Sequence, residues 1–158
     1  MAAATLDVVG IGNAIVDVLA HADDRFLADH GLAKGTMTLI DDARAEALYA
    51  AMGPGIEVSG GSAGNTMAGI ASLGGRGAFI GKVRNDQLGG IFRHDIRAAG
   101  VAFATAPAHD GPPTARCLIL VTPDAQRTMN TYLGAAVELS PDDLDGEAIA
   151  GAQVTYLE

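Results

Sequence analysis

Short apolar runs closed by glycine or an acidic residue alternate along this chain with stretches whose apolar side chains recur every three or four positions. Residues 6–12, Leu-Asp-Val-Val-Gly-Ile-Gly, read as a buried strand, and Ile15 to Ala20 as a second one after a turn at Asn13-Ala14. Asp23-Asp24 can cap a short helix that stops at Gly31. Residues 36–40 predict a strand. Asp41 then opens a helix with Leu48 and Met52 on one face, ended by Gly53-Pro54. Ile56 to Ser59 leads into a helix over the sixties, where Ala63, Met67, Ile70, Ala71 and Gly74 form one stripe. A strand is expected at 78–83. Asp86 caps a further helix with Leu88, Ile91, Phe92, Ile96 and Ala99 at helical spacing, closed by Gly100. Residues 101–105, 114–121 and 127–133 read as strands, the last two joined as a hairpin through Thr122-Pro123-Asp124-Ala125-Gln126. Ser140-Pro141-Asp142-Asp143 spells a capping box, and Gln153 to Glu158 a final strand.

This alternation predicts an α/β fold with a β appendage, in 158 residues that suffice for one ordinary core. Composition sharpens it. Hydrophobic residues make up 49%, as parallel strands buried on both faces require. Aromatics reach only 4% with no Trp, and the net charge is -9, so neither a nucleic-acid surface nor an anionic membrane is an expected partner. Residues 1–20 carry Asp7 and Asp17 and no basic leader, which reads as neither signal peptide nor membrane span. The lone Cys117 gives no disulfide framework, fits a reducing cytoplasm, and reads as a small apolar strand residue.

Two stretches carry candidate chemistry. The first is Ser-Gly-Gly-Ser-Ala-Gly-Asn-Thr-Met, 59–67. Gly60 and Gly61 let a backbone approach a ligand closely, the first-turn N–H groups of the following helix are unpaired, and Asn65 adds a donor and an acceptor. That set suits a polyhydroxylated ligand. A glycine-rich turn whose Asn65 satisfies nearby backbone explains the residues equally. No Gly-Lys-Ser/Thr follows, so this is not a Walker loop. The second stretch, Gly10 to Asp17, starts like a dinucleotide fingerprint but has Ile15 where a third glycine belongs. Strand alternation puts Asp17 on one face with Ile15 and Leu19. A carboxylate there needs partners: an Arg, a backbone cap, or two neighbouring hydroxyls of a ligand.

Other signals read as structural. His21, His30, His94 and His109 lack metal-ligand spacing, and no metal site is expected. Asp86 is a helix cap before it is a substrate contact. Residues 127–132 face either a ligand pocket or solvent. The acidic run from Asp142 to Glu147 complements a helix start.

The glycine-rich start with Asn13 and Asp17, then Gly60-Gly61-Ser62-Ala63-Gly64-Asn65, then Leu73-Gly74, then Gly81-Lys82-Val83-Arg84-Asn85-Asp86-Gln87-Leu88-Gly89, together resemble the ribokinase family of PfkB-type carbohydrate kinases, in its adenosine kinase-like and bacterial sugar kinase branch. The resemblance implies a Rossmann-like α/β body, here incomplete, with a small β-sheet lid supplied by strands within 15–20, 36–40 and 101–133. It implies ATP-dependent phosphorylation of a sugar or nucleoside hydroxyl with Mg2+. Asn13 and Asp17 would hold the substrate from the lid, Gly60, Gly61, Ser62 and Asn65 from the body, with Glu158 at the end of a body strand.

The family's Gly-Ala-Gly-Asp turn, which supplies the catalytic base and an anion hole, does not occur, nor does its Asn-x-x-Glu motif. Residues 1–158 are therefore expected to be the N-terminal, substrate-binding part of one kinase domain. This part holds no catalytic residue of its own, is inactive alone, and needs a C-terminal half as partner. The rival reading is a non-catalytic module that binds a ligand or forms a homodimer through its lid strands. A dinucleotide-dependent oxidoreductase is a more distant third.

Overall fold

The computed structural model describes residues 5–158. Its frame is two sheets joined by four chain crossings. β1 (Leu6–Ile11) forms the centre of the first sheet. It leads into β2 (Ile15–His21), which enters the second. After α1 (Asp24–Asp29), β3 (Met37–Leu39), α2 (Asp42–Ala51) and β4 (Ile56–Gly60), the chain returns through α3 (Ser62–Ser72) to β5 (Gly77–Ile80). α4 (Gln87–Ala98) and an extended stretch precede the hairpin β6 (Ala115–Val121) and β7 (Arg127–Tyr132). Two short 3-10 turns, 134–138 and 141–143, lead to α5 (Gly146–Gly151) and β8 (Ala152–Leu157).

The first sheet is parallel, in the order β5-β1-β8, with Gly10 of β1 between Phe79 and Tyr156. The second is mixed, in the order β3-β7-β6-β2-β4. β2 runs parallel to β6 and antiparallel to β4, so Asp17 stands between Cys117 and Val58. Strands thus occur within 15–20, 36–40 and 101–133, as the pattern predicts. β4, read from the sequence only as a lead-in, is the edge strand of the same sheet.

Local chemistry accounts for the helix starts. Asp23, Asp41 and Asp86 each accept a backbone N–H three residues on, at 2.7, 2.8 and 2.8 Å. α3 has no side-chain cap: its N-cap is Gly61, at φ 81°. The main core lies where α1, α2 and α4 cover the Val16–Val18–Ala20 face of the second sheet and α3 covers β1. Phe79, Phe92 and Phe103 meet there with ring centroids 5.4–6.0 Å apart. A second cluster of Val9, Ala78 and Ile80 lies under α5.

Several boundaries differ from the pattern. β1 stops at Ile11, and β5 at Ile80 rather than residue 83. Residues 101–105 are no strand: Ala102 makes one isolated bridge to Ala78, because the segment touches the β5 edge only there. The capping box at Ser140 opens a three-residue 3-10 turn, while Asp145 caps the α-helix that follows. On α3, Ala63 and Met67 are buried, while Gly74, at φ 87°, lies beyond the helix end and is exposed. Among the described residues no helix is long and apolar enough to cross a membrane.

Candidate functional site

Of the seven candidate residues, Asn13 occupies the β1–β2 turn, Asp17 lies within β2, Gly60 ends β4, Gly61, Ser62 and Asn65 form the entry and first turn of α3, and Glu158 follows β8. Three close pairings bind them together. A Cβ on Gly60 would lie 2.3–2.6 Å from the carboxylate atoms of Asp17, so that carboxylate fills the space a side chain would take. A Cβ on Gly61 would lie 2.5 Å from the Asn13 carbonyl oxygen, and the positive φ of Gly61 independently favours glycine. Gly12 packs in the same way, its Cβ position 2.8 Å from the Ala63 Cβ and 3.3 Å from the Glu158 carbonyl oxygen.

Glu158 is tied in from both ends. Its N–H donates to the Ile11 carbonyl at 3.1 Å, and the Tyr156 hydroxyl donates to its carboxylate at 2.6 Å. Hydrogen bonding from the Ser62 hydroxyl, then from Tyr156, holds its carboxyl below the usual range. An acidic group thereby stands at the start of α3, where the helix lacks a side-chain cap.

Asp17 is different. It is half-buried, and among the described residues its carboxylate accepts no hydrogen bond. Burial pushes its carboxyl above the ordinary value, offset only in part by the charge of Arg127. Neither bland partner is supplied: no Arg fork and no backbone cap. Asn65 is exposed; its N–H closes the first turn of α3 onto the Gly61 carbonyl at 2.8 Å, and its side-chain amide likewise makes no hydrogen bond among the described residues.

A cleft of about 400 Å³ opens between Ile11, Gly12, Asn13, Ala136, Val137, Leu139, Leu157 and Glu158. Of the seven residues only Asn13 and Glu158 line it. An adjoining apolar hollow of about 320 Å³ shares Val137 and continues over Leu39, Tyr132 and Leu133. A third cavity, about 300 Å³ between β5, Ala102–Ala106 and α5, touches none of the seven.

The comparisons decide the family. The pfkB family carbohydrate kinase model matches residues 55–158. The chain belongs to the pfkB family of carbohydrate kinases. The chain is 60% identical to the adenosine kinase of Sinorhizobium meliloti, at a TM-score of 0.90 over 98% of this chain and 47% of that one. It is 56% identical to a probable sugar kinase of Rhizobium etli, at 0.89 over 96% and 46%. The guanosine-inosine kinase of Escherichia coli K12 is 29% identical over 95% of this chain and 36% of its own length. The chain thus spans between a third and half of these relatives.

Within this kinase frame three groups escaped the sequence reading. Tyr156 engages Glu158. Cys117 is more than apolar filling: the strand register places it beside Asp17, and the Thr131 hydroxyl donates to its sulfur at 3.2 Å. Burial, and then the Asp17 charge, push the thiol up. The third is Asp95, on α4. Cys117 depends on strand pairing and Asp95 on the packing of α4 against β4, neither of which short motifs encode, whereas Tyr156 reaches Glu158 from two residues away. Asp86, by contrast, is the cap its spacing announced, and it also accepts the N–H and hydroxyl of buried Thr114 at 2.9 and 2.6 Å.

Proposed function

We propose that this chain is the acceptor-binding part of an ATP-dependent sugar or nucleoside kinase, and that its preferred acceptor is a nucleoside. The observation that carries the reading is Asp17: a half-buried carboxylate without a hydrogen bond, held against a glycine whose bare backbone leaves it room. A carboxylate accepts two neighbouring hydroxyls, and those of a ribose would supply the donors that the protein does not. Asn13 and Glu158, which line the cleft, would offer further polar groups to the same polyol, with Gly61, Ser62 and Asn65 proposed beside them. The nucleoside preference follows from the apolar hollow over Leu39, Tyr132 and Leu133, which continues from the polar cleft at Val137 and suits a flat base. The adenosine kinase and guanosine-inosine kinase among the relatives support it.

The second sheet would act as the lid over this substrate. Met37 and Leu39, exposed at 57% and 59% on its β3 edge, support self-association through that edge.

ATP and Mg2+ enter from the family. Among the described residues no three His, Cys, Asp or Glu side chains converge as a metal site. The Mg2+–ATP side would be supplied by a C-terminal part. What this chain does is orient the acceptor hydroxyl; the base that deprotonates it would come from a C-terminal part.

Calorimetric titration of adenosine, guanosine and ribose tests the reading. Adenosine binding by the wild type and its loss in Asp17→Asn, with the fold retained, is the expected result. Tight binding of adenosine by Asp17→Asn would overturn the role given to the carboxylate. The 158-residue chain supplied with ATP and adenosine should form no ADP, and robust turnover would reject its assignment as the acceptor side alone.

A further inference from the structure

β4 is an edge strand, so every second N–H along it points away from β2 and has no strand partner. At Ser59 that N–H donates to the Asp95 carboxylate at 3.0 Å. Asp95 lies in the body of α4, nine residues after the Asp86 cap, and α4 packs along β4 and β2. Ser59 immediately precedes Gly60 and Gly61, whose backbones lie against the Asp17 carboxylate and the Asn13 carbonyl. The glycine pair is thus held from one side by the candidate site and from the other by a single charge-assisted bond to a helix.

We propose that Asp95 is a positioning residue for the acceptor: by accepting the Ser59 N–H it fixes Gly60-Gly61 against Asp17 and Asn13, and so sets the spacing between the two halves of the grip. The inference rests on the acceptor-binding reading above. Asp95 touches no substrate. Its contribution passes through main chain: β2 pairs with Gly60 on one side, and the Asp95 bond holds the residue before it on the other. The lost bond would reach the ligand as a shift in position, which weakens every hydrogen bond made from that turn.

The test uses the full-length kinase with adenosine as probe. Asp95→Ala should weaken binding about tenfold, the scale of one hydrogen bond to a charged group. Asp95→Asn, which keeps an acceptor oxygen, should restore affinity to within about threefold of wild type. Ser59→Pro removes the N–H itself at an edge position that tolerates proline, and should reproduce the Asp95→Ala loss. Combining the two should weaken binding no further than either alone. The loss should appear in KM for adenosine, with kcat at saturation unchanged, and amide exchange across residues 56–61 should accelerate in Asp95→Ala but not in Asp95→Asn.

If Asp95→Ala does not fold, Ser59→Pro and Asp95→Asn decide alone. Wild-type affinity in Asp95→Ala or Ser59→Pro, while Asp17→Asn has lost adenosine, would overturn the positioning role and leave the acceptor site standing. Equal losses in the Asn and Ala variants would also overturn it. A wild type that binds neither adenosine nor any other nucleoside or pentose would remove both readings together.

Discussion

Asp17 shares one face of β2 with Ile15 and Leu19, without the hydrogen bonds that a buried carboxylate normally collects. Its raised pKa fixes the sign of two effects. A group that holds its proton more tightly in the folded state favours folding below its unfolded pKa, and that gain is lost as pH rises through the folded value. At pH 7 the charged carboxylate therefore weighs against the fold. Asp17→Asn should raise the Tm at pH 7 by about 1–3 °C, and the gain should shrink as pH falls through the raised folded value and be gone below the ordinary carboxylate range, as thermal melts across pH would show. If Asp17 accepts ligand hydroxyls as proposed, affinity runs the other way and should fall on acidification at a higher pH than an ordinary carboxylate would give. Asn65 is exposed, so the proposed role carries no such conflict there. Asn65→Ala should leave the melt unchanged and weaken adenosine binding by about 1–3 kcal/mol, measured by calorimetry.

At the scale of elements, a helix cap holds two parts of the molecule at once. Asp86 caps α4 and pairs with both polar groups of Thr114, where the chain enters β6. Asp86→Ala should cost about 2–4 kcal/mol in urea unfolding, the sum of a lost cap and a buried threonine left unpaired. The caps at Asp23, Asp41 and Asp86 were legible in sequence because each is satisfied within three residues. The helices and most strands followed from periodicity for the same local reason. Sheet membership was not: nothing in Ile56-Glu57-Val58-Ser59 tells that it borders β2, nor that residues 101–105 touch β5 at a single bridge. The site was legible in part. Gly60-Gly61, Asn13 and Asp17 could be named from their motifs, but that Gly60 backs onto Asp17 and Ser62 onto Glu158 is a property of long-range pairing.

For the whole molecule, several ion pairs join distant segments, and Lys82–Asp143 has both partners largely buried. The Lys82 ammonium, after β5, donates to Asp143 in the 3-10 turn before α5, with side-chain exposures of 17% and 11%. Burial alone would raise the Asp143 carboxyl, yet Lys82 together with the N–H and hydroxyl of Ser140 outweighs it and holds the group below its ordinary value. The stability it lends is present above the ordinary carboxylate range and is lost as pH falls through the lowered value. Lys82→Ala should destabilise by about 2–3 kcal/mol at pH 7, and the difference from wild type should close in acid, as urea titrations at both pH values would reveal.

The Asp95–Ser59 contact reads main chain and ignores the side chain at 59, whereas the next two positions have no room for any side chain. Drift in this corner is therefore sharply uneven. A saturation library selected for folding and adenosine binding would accept several small side chains at position 59, while positions 60 and 61 collapse to a single letter.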